Sequence, residues 1–109
     1  MGRWLLDELD RQRALTHILE QDGQRVPELR DSARRHISDA GYQSACAVLQ
    51  RWLDGRRPEV DAAATAVCLV GAIINFRRSN WTFGGPPVGL TDERFLDGWA
   101  NVCVAFARP

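Results

Sequence analysis

The stretch AAATAVCLVGAIINFRRSN, residues 62–80, decides the fold of this chain. Between Ala62 and Ile74 its only polar residue is Thr65, which predicts a helix that is apolar on all sides. Asp61 is the expected N-cap, because its carboxylate can accept hydrogen bonds from the first-turn amides. On a helical wheel the large side chains share one side. The small residues of the other side, which let another helix backbone come close, are Ala64, Cys68, Gly71, Ala72, Asn75 and Ser79.

The last helix of the sequence also has a broad apolar surface. Thr91 is its expected N-cap, and Asp92 and Glu93 stand at the positive end of its dipole. Its apolar arc spans roughly 200°, about twice what one neighbour covers. The arc includes Phe95, Trp99, Val102 and Phe106. Since each large apolar side chain contributes about 1.5–3 kcal/mol when buried, we expect a homodimer that buries both helices. The alternative is an ordinary core helix in a monomer.

The remaining sequence predicts further helices and no strands. Helices are expected at about residues 3–21, 26–54, 61–80 and 91–108, and the charged stretch from Asp7 to Arg13 divides the first into two in an alternative reading. Gly23 is expected to end the first helix in a left-handed conformation, and Pro27 suits the first turn of the second. No sustained period-two alternation is present. The sequence therefore predicts one all-α domain, residues 1–109, of four or five helices.

Composition and motifs argue against several classes of function. The 109 residues carry 14 basic and 14 acidic side chains, so no net charge attracts nucleic acid. The apolar run of about 13 residues is shorter than the roughly 20 that span a membrane, and no secretory signal is present, which favours the cytoplasm. The three cysteines lack metal-site spacing and are expected to be buried reduced thiols. His17 and His36 accompany no nucleophile motif, so we expect no enzyme activity, metal or cofactor.

Four segments in order resemble one known family: LTHILEQDGQRVPELRDSARRHI, LQRWLDGRRPEVD, AAATAVCLVGAIINFRR and FGGPPVGLTDERFLDGWANVCVAFAR. Together they resemble the last part of the C-terminal regulatory domain of TetR-type transcriptional repressors. The resemblance implies that the last two helices pair with their symmetry mates as a four-helix dimer interface. It also implies that the earlier helices surround a pocket for a small, largely apolar effector.

The resemblance and the sequence together predict where this pocket lies. Past Gly41 the apolar coverage of the long helix widens, and a mid-helix glycine indicates a bend, a close contact, a bound ligand or simply a tolerated residue. We therefore expect an apolar cavity between the first helix and the middle of the long one, with His17 or Tyr42 as polar anchor. Its expected lining is Leu15, His17, Ile18, Ile37, Gly41, Tyr42, Ala45 and Val48.

TetR-type repressors begin with a three-helix DNA-binding domain, and this sequence contains no such segment. The chain is therefore interpreted as an effector-binding and dimerisation domain, either a fragment or a short relative, that does not bind DNA by itself. The alternative is a stand-alone helical dimerisation module that pairs with full-length regulators and antagonises them. A small helical enzyme is a third, less favoured reading.

Overall fold

The computed structural model describes residues 2–53, 55 and 57–107, and these residues contain five helices and no strand. The all-α prediction is therefore confirmed. The helices are α1 (Gly2–Arg11), α2 (Arg13–Asp22), α3 (residues 27–53), α4 (Ala62–Phe83) and α5 (Asp92–Ala107). Helix α3 is continuous but contains a π-helical segment, Arg34–Asp39, between two α-helical parts. The predicted helix ends at Asp54 and Arg108 lie outside the described residues.

The helix starts follow local chemistry. The Asp61 carboxylate accepts from the Ala64 amide at 3.0 Å, and the Thr91 hydroxyl accepts from the Arg94 amide at 3.2 Å, so both predicted N-caps are confirmed. The first predicted helix is two helices that meet at Gln12.

The predicted left-handed end at Gly23 is wrong. Gly23 has φ −59° and stays in the right-handed helical region, and its amide donates to the Leu19 carbonyl. A Cβ at this position would lie 2.4 Å from that oxygen, so lack of space requires the glycine.

The core lies where α1, α4 and α5 meet. Leu6 of α1 is completely buried, and Ile73 and Phe76 of α4 are almost so. The partly buried side chains that pack around them are Leu5, Leu9, Leu90, Phe95, Leu96 and Trp99. Gly2, Leu5, Leu6 and Leu9 recur at helical spacing. Helix α1 therefore presents one narrow apolar stripe to this core.

The molecule is thin and open for its length. Its dimensions are 45 × 35 × 19 Å, and its radius of gyration of 15.4 Å exceeds the value of about 13 Å expected for a compact domain of this length. The accessible surface is 7449 Å², against about 6,100 Å² expected for a folded monomer of 12.2 kDa. The fold therefore leaves much apolar surface in contact with water.

Candidate interaction face and cavities

The side of α4 opposite the core is exposed and carries no charge between Asp61 and Arg77. We call this side the outer face. The exposed residues that define it are Ala64, Val67, Cys68, Ala72 and Asn75. Four of the five belong to the small-residue side that the sequence predicts as a helix–helix interface. Within the described chain, then, no other helix covers this side.

Gly71, another residue of the predicted small side, lies at the edge of the outer face. It is half-buried, and a Cβ at this position would lie 4.0 Å from the Tyr42 hydroxyl of α3. Gly71 thus faces another helix of the same chain, and a modest side chain here would only reach van der Waals contact.

Three of the four interface residues predicted on α5 contact other residues of the same chain. Phe95 stacks on Phe76 with ring centroids 4.1 Å apart, and the Trp99 indole donates to the Leu69 carbonyl at 2.8 Å. The Phe106 ring lies 5.3 Å from the Arg57 guanidinium. The fourth predicted interface residue, Val102, is 55% exposed.

Helix α1 explains why the arc of α5 is less open than its sequence indicates. The chain turns back so that α1 lies against α4 and the start of α5. Gly2 is buried there, and a Cβ on it would lie 2.7 Å from Leu96 Cδ2. One apolar side of α5 is therefore covered from within the chain, whereas the outer face of α4 is not.

A small apolar cavity of about 40 Å³ lies between α3, α4 and α5. Its lining residues are Ala45, Val48, Leu49, Trp52, Ala66, Leu69, Val70, Trp99 and Cys103. Ala45 and Val48 belong to the predicted effector pocket. An apolar cavity of about 150 Å³ accommodates benzene, so this cavity holds no organic effector unless the helices separate.

The other residues of the predicted pocket are not brought together. Leu15 and Ile18 of α2 are 44% and 48% exposed, and Ile37 of α3 is 49% exposed. Gly41 is exposed with no atom within 4 Å of an added Cβ, which fits a tolerated glycine. The irregularity of α3 lies upstream, in the π-helical segment.

His17 lines a second, polar cleft of about 280 Å³ between α2 and the end of α4. The other lining residues are Arg13, Thr16, Glu20, Arg78, Trp81 and Thr82. Sequence reasoning missed these residues, because the cleft depends on how two distant helices pack and no local motif marks it. The only hint was that Arg13, Thr16, His17 and Glu20 recur at helical spacing on one side of α2.

A buried arginine of α4 joins α1, α4 and α5. Arg77 is 7% exposed and donates two hydrogen bonds to Asp92, at 2.9 and 3.3 Å. Its Nε lies 3.1 Å from Asp10 Oδ1, but that nitrogen is not aligned for a hydrogen bond, so Asp10 contributes charge pairing only. Arg3 of α1 also donates to Asp92, at 3.1 Å. These hydrogen bonds, above all those from Arg77, hold the pKa of Asp92 below its usual value.

The cysteines differ in exposure, contrary to the expectation that all are buried. Cys103 is buried, Cys46 is half-buried and Cys68 is exposed on the outer face. Burial raises the pKa of the Cys103 thiol. Over residues 2–53, 55 and 57–107, no cluster of three or more His, Cys, Asp or Glu side chains is arranged to hold a metal ion. No helix in these ranges is both long and apolar enough to cross a membrane.

Comparisons with the models of known protein families, with curated proteins and with solved structures find no match to this chain.

Proposed function

We propose that this chain is a non-enzymatic helical dimerisation domain, of the kind found in the regulatory part of TetR-type regulators, that works in the cytoplasm. It pairs with a second copy through the outer face of α4. The observation that carries the proposal is the exposure of an uncharged, small-residue face on the most apolar helix of the fold.

The accessible surface supports a second copy as the occupant. The excess over a folded monomer of this mass is roughly 1,300 Å², whereas a standard interface covers about 800 Å² on each partner. The outer face alone is too narrow to supply that area. Val102 and Val104 of α5, both more than half exposed, are further apolar side chains that a partner could cover. A symmetric pair that buries these regions would bring the exposed surface into the normal range.

The chemistry of the face favours self-pairing. A two-fold interface brings the same patch from both copies together, so any charge on it would meet its own kind. The outer face has none, and Ala64, Cys68 and Ala72 are small enough for two α4 helices to approach closely. A partner chosen by charge complementarity would find no complementary side chain here.

Sedimentation analysis of Ala72→Glu tests the pairing. The change places a carboxylate from each copy in the interface, where burying an unpaired charge is strongly unfavourable. We expect the dissociation constant to rise at least about 100-fold, equivalent to about 2.8 kcal/mol. The matched control is Gln43→Glu, which adds the same charge to an exposed site on α3 and should leave the dimer unchanged. A wild-type protein that stays monomeric at micromolar concentration excludes the proposal.

The effector part of the TetR-type reading rests on the cavity between α3, α4 and α5. We propose that a small apolar molecule binds there by separating Trp52 and Trp99, two aromatic residues of its wall. Binding would then alter the angle between α3 and the paired α4 helices, provided that the ligand prefers the opened state. Xenon, a small apolar probe, tests it: the methyl resonances of Val48 and Val70 should shift, whereas those of Val88, 91% exposed on the α4–α5 loop, should not.

A stand-alone dimerisation module is the alternative, and the structure supports it equally through the outer face. The two readings differ in whether a DNA-reading domain belongs to the same polypeptide. The coding sequence upstream of Met1 distinguishes them, because the regulator reading requires a helix-turn-helix there.

A further inference from the structure

The polar cleft between α2 and the end of α4 has the size and charge of a ligand site. Its volume of about 280 Å³ is seven times that of the apolar cavity, at about 40 Å³. It lies close to the lower end of the range of about 300–1,000 Å³ typical of small-molecule sites. The cleft is formed by residues that follow the outer face on α4, so a ligand there and a second copy occupy different parts of that helix.

The charges in the cleft do not cancel. Arg78 pairs with Glu20 across the cleft, which leaves that pair close to neutral. Arg13 lies with its guanidinium 5.4 Å from the centre of the Trp81 ring and, within the described residues, contacts no carboxylate. Stacking on an aromatic face holds a guanidinium in place without neutralising it. Among the described residues, the cleft therefore presents one cation, Arg13, that no carboxylate contacts.

We propose that this cleft binds a small organic monoanion with a planar apolar body, such as an aromatic carboxylate. The carboxylate pairs with the Arg13 guanidinium, whose planar set of N–H donors matches two carboxylate oxygens. The body lies along Trp81, the large apolar group of the cleft. Thr16, His17 and Thr82 supply further polar groups at its walls.

A single charge is favoured over a double one because of Glu20. The Glu20 carboxylate forms an ion pair with Arg78 and would repel a second negative charge on the ligand. A dianion such as phosphate would meet one available cation and one carboxylate, whereas a monoanion needs only Arg13. The same reasoning predicts that removal of the Glu20 charge releases Arg78 and strengthens anion binding.

Titration with benzoate, followed by the Trp81 indole N–H resonance, tests the proposal on the intact chain. The resonance is assigned from a Trp81→Phe sample. We expect saturable shifts with a dissociation constant of about 1 mM or lower, as fits so small a ligand. Benzamide, with the same ring and no charge, should bind at least about tenfold more weakly, because it lacks the charge-assisted hydrogen bond.

Two variants of opposite expected effect separate ligand recognition from general loss of structure. Arg13→Gln should weaken benzoate binding about tenfold, and Glu20→Gln should strengthen it about threefold and increase the response to inorganic phosphate. Arg35→Gln, at an exposed arginine on α3, is the control and should leave both unchanged. A gain of affinity cannot come from misfolding.

The proposal is overturned if benzoate causes no saturable shift of the Trp81 indole. It is equally overturned if benzamide binds as well as benzoate, or if Arg13→Gln and Arg35→Gln have the same effect. Unchanged binding by Glu20→Gln would show that the anion does not occupy this cleft. The cleft and the outer face occupy different parts of α4, so none of these outcomes depends on whether the chain dimerises. The oligomeric state is measured separately.

Discussion

Arg77 near the end of α4 donates two hydrogen bonds to Asp92 at the start of α5 and so closes the connection between these helices. Asp92 also accepts from Arg3, which brings α1 to the same carboxylate. Arg77 is almost fully buried, and Asp92 is its hydrogen-bonded partner, while Asp10 contributes charge pairing only. Removing the partner of a buried cation is destabilising. Asp92 thus joins α1, α4 and the start of α5 at one carboxylate.

Replacing Asp92 with Asn should therefore destabilise the protein by about 2 kcal/mol at pH 7. The pKa of Asp92 is lowered in the folded state, so its contribution is fully present above the unfolded value of about 3.9 and is lost as the pH falls through the lower folded value. Urea unfolding from pH 7 to pH 3 should show the difference between wild type and Asp92→Asn narrowing below about pH 4. Asp97→Asn, an exposed change on the same helix, is the control, and an Asp92→Asn difference that does not vary with pH contradicts the assignment.

The end of α4 gives a second test, of backbone conformation. Gly84 has φ 73° as the C-cap of α4, whereas the adjacent Gly85 does not have a positive φ. A left-handed conformation costs a residue with a Cβ about 1–2 kcal/mol. Gly84→Ala should lower the melting temperature by about 5 °C, and Gly85→Ala, with open space around it, should not. Equal effects of the two changes would show that the left-handed cap does not limit stability.

The thiols report on pairing without any substitution. Cys68 lies on the outer face, and Cys103 is buried with a raised pKa, so N-ethylmaleimide should modify Cys68 first in dilute protein. At concentrations where the dimer forms, the rate at Cys68 should fall, while Cys103 stays slow throughout. Mass spectrometry of peptides after timed labelling measures both rates. A Cys68 rate that does not change while the dimer forms would place the interface elsewhere.

Duplex DNA provides a further test. The chain has equal numbers of basic and acidic residues, and several arginines are paired with carboxylates. Affinity for DNA depends mainly on basic side chains that reach phosphates together. A gel-shift assay at about 0.15 M salt should show no sequence-selective binding by the isolated chain, and submicromolar selective binding would refute this.

Features set by neighbouring residues were predictable from the sequence. The caps at Asp61 and Thr91 depend on a side chain and an amide three residues later, and the exposed small side of α4 follows from its wheel. Leu6, the most deeply buried residue, was missed even though Leu5 and Leu9 at helical spacing mark its stripe. Its burial depends on α1 turning back onto α4, which no local pattern specifies.

The cleft and the apolar cavity were harder to predict for the same reason. Arg13 meets Trp81 only because α2 packs along the end of α4, far away in the chain. Ala45 and Val48 were placed in a cavity, but the opposite wall is formed by α4 and α5 and not by α2. A wheel shows which side of a helix must be covered, and it does not show which helix covers it.

The π-helical segment Arg34–Asp39 also bears on how the length of this chain can vary. A π turn accommodates one residue more than α-helical spacing while the flanking turns keep their faces. Deleting one residue there would restore a regular helix and leave Leu49 and Leu53 buried. In α4, by contrast, one added or lost residue would rotate everything beyond it by about 100° and turn the outer face away. Loss of one residue is therefore tolerable at this segment of α3, whereas a change of length within α4 would misalign its outer face.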